Sequence, residues 1–288
     1  MKDHNDISLS ISVVCYNSSE KELRVLISSI LNAITALKHC INTLPIPIFL
    51  IDNSENKNLS LEVFTDLQQQ GIDQGIEPEV ELKLLQGHGN IGYGSAHNLV
   101  IEKLNSDYHL LLNPDLNLDA ESLISGITYM QENDEVVMAG PSAKYENGEK
   151  QYLCKQYPSV FTFLVRGFFP SFIKKSFHKR LAKFEMHRLS DSEASVGIPI
   201  ISGCFMLCRS EELEKIQGFD ENYFLYFEDF DLSLRMAALG KIAYVPAMRI
   251  THTGGNAARK GWRHIKMFAC SGMRFFNTHG WRFFSQAG

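Results

Sequence analysis

His109-Leu110-Leu111-Leu112-Asn113-Pro114-Asp115-Leu116-Asn117-Leu118-Asp119 decides how the chain is read. Leu110 to Leu112 is an uninterrupted apolar run, the pattern of a strand buried on both faces of a parallel sheet. Pro114 lacks an amide proton and fixes its own φ, so the strand is expected to stop there. Asp115 then stands just beyond the carboxyl end of a central strand, where open α/β sheets bind ligands. A carboxylate at that point suits a hard divalent ion that also holds a diphosphate. It equally suits a loop aspartate capping a helix that begins near Ala120.

Upstream, Leu9–Cys15 (LSISVVC) and Ile46–Ile51 read as buried strands. Between them Ser18 or Ser19 caps a helix running to about Leu37, with Leu23, Leu26, Ile27, Ile30, Leu31 and Ile34 at helical spacing. Strand, helix, strand makes a βαβ unit with a right-handed crossover. Both strands end in polar turns, Tyr16-Asn17-Ser18-Ser19 and Asp52-Asn53-Ser54, whose side chains can hydrogen-bond a base or ribose. Asp52 fits that role and a simple Asx turn equally well. Residues 56 to 79 are polar and read as an exposed helix and loop. Glu81–Leu85 is a third strand leading into Gly87-His88-Gly89-Asn90-Ile91-Gly92-Tyr93-Gly94-Ser95-Ala96-His97-Asn98. Those glycines allow close backbone approach to a ligand, and a helix starting near Ser95 offers amides to an anion. No Gly-Lys-Ser/Thr follows, so this is not a Walker loop.

Downstream, a helix runs from Asp119 to about Glu132 and a short strand covers Val136–Ala139. From Gln151 to Arg188, Phe161, Phe163, Leu164, Val165, Phe168, Phe169, Phe172 and Ile173 precede Lys174, Lys175, Lys179, Arg180 and Lys183. Such a segment suits an anionic membrane surface, or a helical flap whose aromatics pack on the main domain. Pro199–Cys208 is a strand broken at Ser202-Gly203, where a ligand can meet bare backbone. Tyr226-Phe227-Glu228-Asp229-Phe230-Asp231 then places three acids at a helix start behind a wall of aromatics. Asp231 and Arg235 form an i,i+4 pair. Glu228 and Asp229 follow a wall of aromatics, and a carboxylate near other carboxylates and apolar rings is expected to have a raised pKa and to be a usable general base. Lys241–Val245 is a last strand ended by Pro246, and His252 falls in a loop flanked by Gly254 and Gly255. The tail from Lys260 to Phe284 is basic and aromatic.

The 288 residues are 44% hydrophobic and 21% charged, with a net charge of −5, which gives no support for nucleic-acid binding. Six cysteines, with no paired metal motif, read as reduced thiols of a cytosolic protein. The polar N-terminus is not a signal peptide, and no apolar run reaches the ~18 residues of a spanning helix.

In this order, Cys15-Tyr16-Asn17, Ile51-Asp52-Asn53-Ser54, Asn90-Ile91-Gly92-Tyr93-Gly94 with Asn98, Asn113-Pro114-Asp115, Ser202-Gly203-Cys204-Phe205-Met206 and Tyr226–Leu232 resemble the family-2 inverting glycosyltransferases, in particular their bacterial rhamnosyltransferase-like branch. The resemblance implies an α/β GT-A fold with a mostly parallel central sheet flanked by helices. It further implies a transferase domain over 1–255, carrying a flap at 151–190, and a C-terminal helical tail over 256–288. By the same resemblance Asp115 binds a divalent metal, Mg²⁺ or Mn²⁺, with His252 as a further metal or diphosphate contact. Asn113 stands where the family's metal motif has its first acid. Asp52 would hold the nucleobase with Tyr16 and Asn17 beside it. Asn90, Gly92, Asn98, Asn113, Gly203 and Glu228 would border the donor, and Asp229 would be the catalytic base. The implied donor is a nucleotide sugar, foremost dTDP-L-rhamnose, with a UDP-hexose or UDP-N-acetylhexosamine as the alternative. The implied acceptor is a saccharide on a polyprenyl diphosphate, in O-antigen or other surface-polysaccharide synthesis, at the cytoplasmic face of the membrane. A non-catalytic nucleotide- or saccharide-binding module is the remaining reading, and the joint presence of Asp115 and Glu228-Asp229 argues against it.

Overall fold

The sheet grows outward from Leu9–Cys15, strand β1, which is buried along its whole length. A computed structural model describes residues 6–56, 59–60, 62–63, 65–67, 69, 80–253 and 261–284. Helix α1 (Glu20–Lys38) starts in a capping box. Ser19 Oγ accepts the Glu22 amide and the Glu22 carboxylate accepts the Ser19 amide. Its buried stripe is the one read from the spacing. Strands β2 (Ile46–Asp52) and β3 (Val80–Gln86) then line up parallel beside β1. Helix α2 (Tyr93–Ile101) returns the chain to β4 (Tyr108–Leu112), which is fully buried and parallel to β1 on its other side.

Past Asp115 the chain makes a short strand, β5 (Leu116–Leu118), then helix α3 (Ser122–Glu132) and strand β6 (Val136–Lys144). Two short strands, β7 (Lys150–Gln151) and β8 (Cys154–Lys155), lead into three short helices. These are α4 (Val160–Phe168), α5 (Ser171–Ser176) and α6 (His178–Phe184). Strands β9 (Ser195–Val196), β10 (Ile200–Ile201) and β11 (Phe205–Arg209) follow, then helices α7 (Ser210–Lys215) and α8 (Glu228–Ala237). Strand β12 (Lys241–His252) and helix α9 (Trp262–His279) complete the order. The main sheet runs β3-β2-β1-β4-β11-β6-β12-β5, an α/β arrangement in which β3, β2, β1 and β4 are mutually parallel, as are β6 and β12. Strand β11 runs against both its neighbours.

Alternation along β1 and β4 explains why both are buried on two faces. Leu9, Ile11, Val13, Leu110 and Leu112 join α1 in the larger core, each such side chain contributing ~1.5–3 kcal/mol by leaving water. The opposite face is polar. Ser10 Oγ lies 2.7 Å from His109 Nδ1, and Ser12 Oγ lies 2.8 Å from both His109 Nε2 and His97 Nδ1. Both imidazoles are enclosed, and burial drives the His109 pKa down to about 3, so this seam is uncharged.

Three sequence expectations need correction. Pro246 does not end the last strand. β12 slips register between Val245 and Arg249, absorbing the missing donor in a bulge, and continues to His252. His252 is therefore a strand residue. Strand β5 was not anticipated, because three residues behind a proline give no periodicity. The polar stretch 56–79 lies partly, and the 254–260 segment with the 255/256 boundary wholly, outside the described residues. Replacing Ser19 with Ala should cost about 1 kcal/mol and lower Tm by about 2–4 °C, read by calorimetry.

Candidate active site

Residue 203 lies between β10 and β11, at the small-residue break. Its amide donates to Asp229 Oδ2 at 3.0 Å, and its carbonyl accepts the Tyr93 hydroxyl at 2.5 Å. A Cβ at this position would stand 3.0 Å from Asp229 Cβ and 3.4 Å from the Tyr93 ring, so glycine is what lets the carboxylate reach the backbone. The Asn113 amide donates to the Cys204 carbonyl at 2.9 Å, tying the end of β4 to the start of β11. The charges of Asp115 and Asp229 both raise the buried Cys204 thiol, after burial itself, to about 12. The two carboxylates thus both act on the Cys204 thiol.

Asp229 begins helix α8. The turn before it is strained: Tyr226 and Phe227 have φ of 70° and 67°, a left-handed conformation that branched and aromatic residues avoid. The Asp229 carboxyl is raised by burial and held down again by the amides of Gly203 and Phe230, with Lys155 opposing the burial as well. Glu228 is pushed up to about 8, first by burial and then by the Asp229 charge. Among the described residues its Oε2 has no hydrogen-bond partner. Asp231 is different in kind. It is buried between Arg235 Nε and His279 Nε2, each at 2.7 Å, and is a structural anion as its i,i+4 spacing predicted.

Strand pairing assembles the second half of the site. β12 runs antiparallel to β5 with His252 opposite Leu116, which brings His252 Nε2 to 3.2 Å from Asp115 Oδ2. His252 Nδ1 lies 2.8 Å from Gln151 Oε1. Gln151 thus orients the imidazole from behind, with Nε2 turned to Asp115. Among the described residues no cluster of three or more His, Cys, Asp or Glu side chains is disposed to hold a metal ion, so the protein offers this pair.

The remaining predicted donor residues are spread over the ends of β1, β2 and β4, the glycine-rich loop and helix α2. Tyr16 and Asn17 are exposed after β1, with Asn17 in a left-handed conformation and its amide on Ser54 Oγ at 3.0 Å. Asp52 is buried and accepts the amides of Ser54 and Leu59, each at 3.1 Å. Asn90 Oδ1 accepts from Asn53 Nδ2 and the Gly92 amide, both at 3.2 Å. Gly92 has a φ of 93°, and a Cβ there would meet the Phe224 carbonyl oxygen at 2.6 Å. Asn98 is turned to structure. Its amide group grips the Phe219 backbone, Oδ1 taking the N–H and Nδ2 reaching the carbonyl, both at 2.9 Å. Asn113, half-buried, ends the β4 run.

Sequence reasoning quoted Asn53 and Tyr93 within motifs without giving either a place in the site, and passed over Gln151 and Lys155. Asn53 clamps the glycine loop through the Ile91 amide and the Gly92 carbonyl. Tyr93 sat between two glycines, a visible signal. Gln151 and Lys155 lie in a stretch with no motif.

The raised Glu228 carboxyl gives a pH test. Unfolded, it ionises near its ordinary value of 4.5, whereas in the fold it keeps its proton to about 8. Between those values the folded state binds the extra proton, so stability falls as pH rises through the window. Glu228→Gln should leave Tm unchanged near about pH 4 and raise it by roughly several degrees near about pH 8.5. Thermal unfolding across that range checks this, and a pH-independent difference would overturn it.

Known proteins agree with this architecture. The chain is 28% identical over 185 residues to an N-acetylglucosaminyl-diphospho-decaprenol L-rhamnosyltransferase of Mycobacterium tuberculosis, covering 59% of this chain and 58% of that one. It is also 28% identical over 176 residues to rhamnosyltransferase WbbL of Escherichia coli K12, covering 57% of this chain and 61% of WbbL. The chain therefore spans less than two thirds of these relatives. The fold is shared by the mannosyltransferase PcManGT of Pyrobaculum calidifontis, solved with GDP-Man and Mn²⁺, at a TM-score of 0.56 and 12% identity over 92% of this chain and 64% of that one. The family model for "Glycosyl transferase family 2" matches residues 10–216, most of the chain and every motif up to Gly203, and by that match the chain belongs to this family.

Proposed function

We propose that the protein is an inverting glycosyltransferase that moves L-rhamnose from dTDP-L-rhamnose to a saccharide carried on a polyprenyl diphosphate. The observation that carries the reading is the Asp229 carboxylate on the Gly203 amide, with the Asp115–His252 pair beyond the same backbone. The rhamnosyltransferase names of both curated relatives support the sugar, and the decaprenyl diphosphate in one name supports the acceptor.

Inverting transfer needs an acceptor hydroxyl to attack the anomeric carbon opposite the leaving diphosphate, and a base to take the hydroxyl proton. Asp229 is that base. Burial makes it more basic than a solvated aspartate, and the Gly203 and Phe230 amides fix its direction. No second carboxylate is required as nucleophile. Tyr16, Asn17, Asp52, Asn90, Gly92 and Asn113 line the donor, Gly203 lies beside the sugar, and Glu228, holding its proton, is a donor-side hydrogen-bond donor. Asn98 serves the site through the Phe219 turn.

The Asp115–His252 pair fits a divalent ion. Cis ligands on an octahedral Mg²⁺ or Mn²⁺ stand about 3 Å apart, and these two atoms are 3.2 Å apart with the imidazole oriented from behind by Gln151. Bound there, the ion would offset charge gathering on the departing diphosphate.

A membrane-facing surface supports the lipid-linked acceptor. Among the described residues no helix is long and apolar enough to cross a membrane. Phe163 and Phe184 of the flap are buried against Phe227, Phe275 and Phe276, so part of the aromatic set packs inward. The rest faces out: Phe172 is 73% and Phe284 72% exposed, and Leu164, Trp281 and Phe283 join them. The tail is joined to this flap, since the Arg282 and Phe283 carbonyls accept the first amides of α4, at 2.8 and 3.0 Å. Lys174, Lys175 and Lys179 complete a basic, aromatic platform suited to the inner leaflet.

Two experiments test the reading. Nucleoside diphosphate release is measured from dTDP-, UDP- and GDP-sugars with lipid-linked acceptor, with Mg²⁺, Mn²⁺ or EDTA. Release from dTDP-rhamnose, abolished by EDTA and reduced about 10²–10⁴-fold in Asp229→Asn, is expected. Release from a UDP-sugar alone would overturn the donor, and undiminished turnover in Asp229→Asn would overturn the base. Flotation with anionic vesicles should recover the protein, and Phe172→Asp with Lys175→Glu should lower recovery severalfold. Equal recovery of wild type and variant would remove the platform from membrane binding.

A further inference from the structure

The segment that carries the base is gripped at five points by one helix, α9, which lies beyond the family match. Arg274 Nε and Nη2 donate to Asp220 Oδ2 at 3.1 and 2.9 Å. Ser271 Oγ donates to the Leu225 carbonyl at 2.8 Å, and His264 Nδ1 lies 3.0 Å from the Tyr226 hydroxyl. The Phe227 ring sits 5.0 Å from Phe268 and 5.3 Å from Phe275, over Gly272. His279 closes the series on Asp231 at 2.7 Å.

Two of these grips fall on Tyr226 and Phe227, the consecutive left-handed residues immediately before Glu228-Asp229. Neither residue type chooses that conformation, and two in succession persist only where the surroundings over-determine them. The Phe227 carbonyl accepts the Asp231 amide at 2.9 Å, and its ring also meets Phe163 of α4 at 5.2 Å and Phe230 of α8 at 5.6 Å. Helix α9 adds the contacts that reach both left-handed residues at once, a hydrogen bond at Tyr226 and two rings at Phe227. Were these contacts relaxed, the turn would move toward right-handed φ values, the first turn of α8 would swing, and the Asp229 carboxylate would leave the Gly203 amide.

We infer that α9 is the positioning element of the catalytic base, with Ser271 and Gly272 as positioning residues that act through Leu225 and Phe227. The inference rests on the transferase reading for its kinetic consequence and on geometry alone for its structural one. Gly272 is the sharpest probe. A Cβ there would stand 3.2 Å from Phe227 Cε2 and Cζ, so a side chain pushes directly on the strained residue. Ala in place of a helical Gly also favours the helix, so a purely structural role predicts equal or higher Tm and no disturbance elsewhere.

The test uses the full chain with Gly272→Ala, Gly272→Val, Ser271→Ala, Ser271→Thr and, as a control on the exposed side of α9, Met273→Ala. Amide hydrogen exchange at Gly203 reports the Asp229 contact without requiring turnover. Exchange there should quicken modestly in Gly272→Ala, about tenfold or more in Gly272→Val, and not in Met273→Ala. In the same order kcat should fall, to about a tenth or less in Gly272→Val, with donor KM within about twofold. Ser271→Ala should behave like Gly272→Ala, and Ser271→Thr, which keeps the hydroxyl, should restore exchange and kcat. Unchanged Gly203 exchange in both Gly272→Ala and Ser271→Ala would overturn the inference, and should Gly272→Val fail to fold those two variants decide it. Absence of turnover in the wild type would instead refute the transferase reading, while the exchange result would still decide the inference.

Discussion

The hydrogen bond from the Gly203 amide to the Asp229 carboxylate joins the two parts of the molecule on which the site depends. On one side is the sheet, where Gly203 precedes β11 and Asn113 ends β4, with the Asn113 amide on the Cys204 carbonyl. On the other is α8, delivered by a strained turn. The bond exists because residue 203 has no side chain to hold Asp229 away, and because Tyr93 fixes the neighbouring carbonyl from the glycine-rich side. A glycine, a tyrosine and an aspartate from three distant stretches thus fix the direction of the Asp229 carboxylate.

Electrostatics separates the two neighbouring acids into different roles. Both stand at the N-terminus of α8, Glu228 buried and Asp229 half-buried, where the helix dipole favours negative charge. Asp229 has two amide donors and the field of Lys155 in its favour. Glu228 has neither comparable donors nor a counter-charge, and the ionised neighbour raises it further. Glu228 is thus pushed up to about 8, whereas the rise at Asp229 is opposed by its amide donors, and the two neighbouring acids are driven apart. Asp115 answers to a different partner, His252, and that pairing follows from register: one residue of slip between β5 and β12 would turn the imidazole to the other face of the sheet.

Much of this was legible in the chain. Strands buried on both faces announce themselves as apolar runs, so Leu9–Cys15, Ile46–Ile51 and Leu110–Leu112 were visible, as was the helix stripe from Leu23 to Ile34. The break at Ser202-Gly203 and the acids after the aromatic wall were visible too, because small and charged residues stand out against an apolar background. What stayed hidden is what depends on register or on remote contacts. His252 read as a loop residue because Pro246 looked like a terminus, whereas a bulge carries the strand past it. Asn98 read as a ligand contact, although its amide is engaged with a backbone more than a hundred residues away. Asn53, Gln151 and Lys155 act through partners that no local spacing encodes.

Asp229 and the site residues on strand ends are supported in different ways. Ligand-facing residues on strand ends are held by the sheet itself, so a short motif there suffices: Asn113-Pro114-Asp115 needs only β4 and β5. A carboxylate reached through two left-handed aromatic residues has no such local support, and the energy of that turn must be met by packing from elsewhere. Helix α9 meets it with an inner face of Ser271, Gly272, Phe275 and Phe276, while Trp262, Ile265 and Met273 remain on its exposed side. The same helix leads into Trp281–Phe284, whose backbone closes the start of the flap. One helix therefore has two distinct faces. Its inner face packs on the turn before Asp229, and its exposed side and the segment beyond it lie at the surface beside the flap.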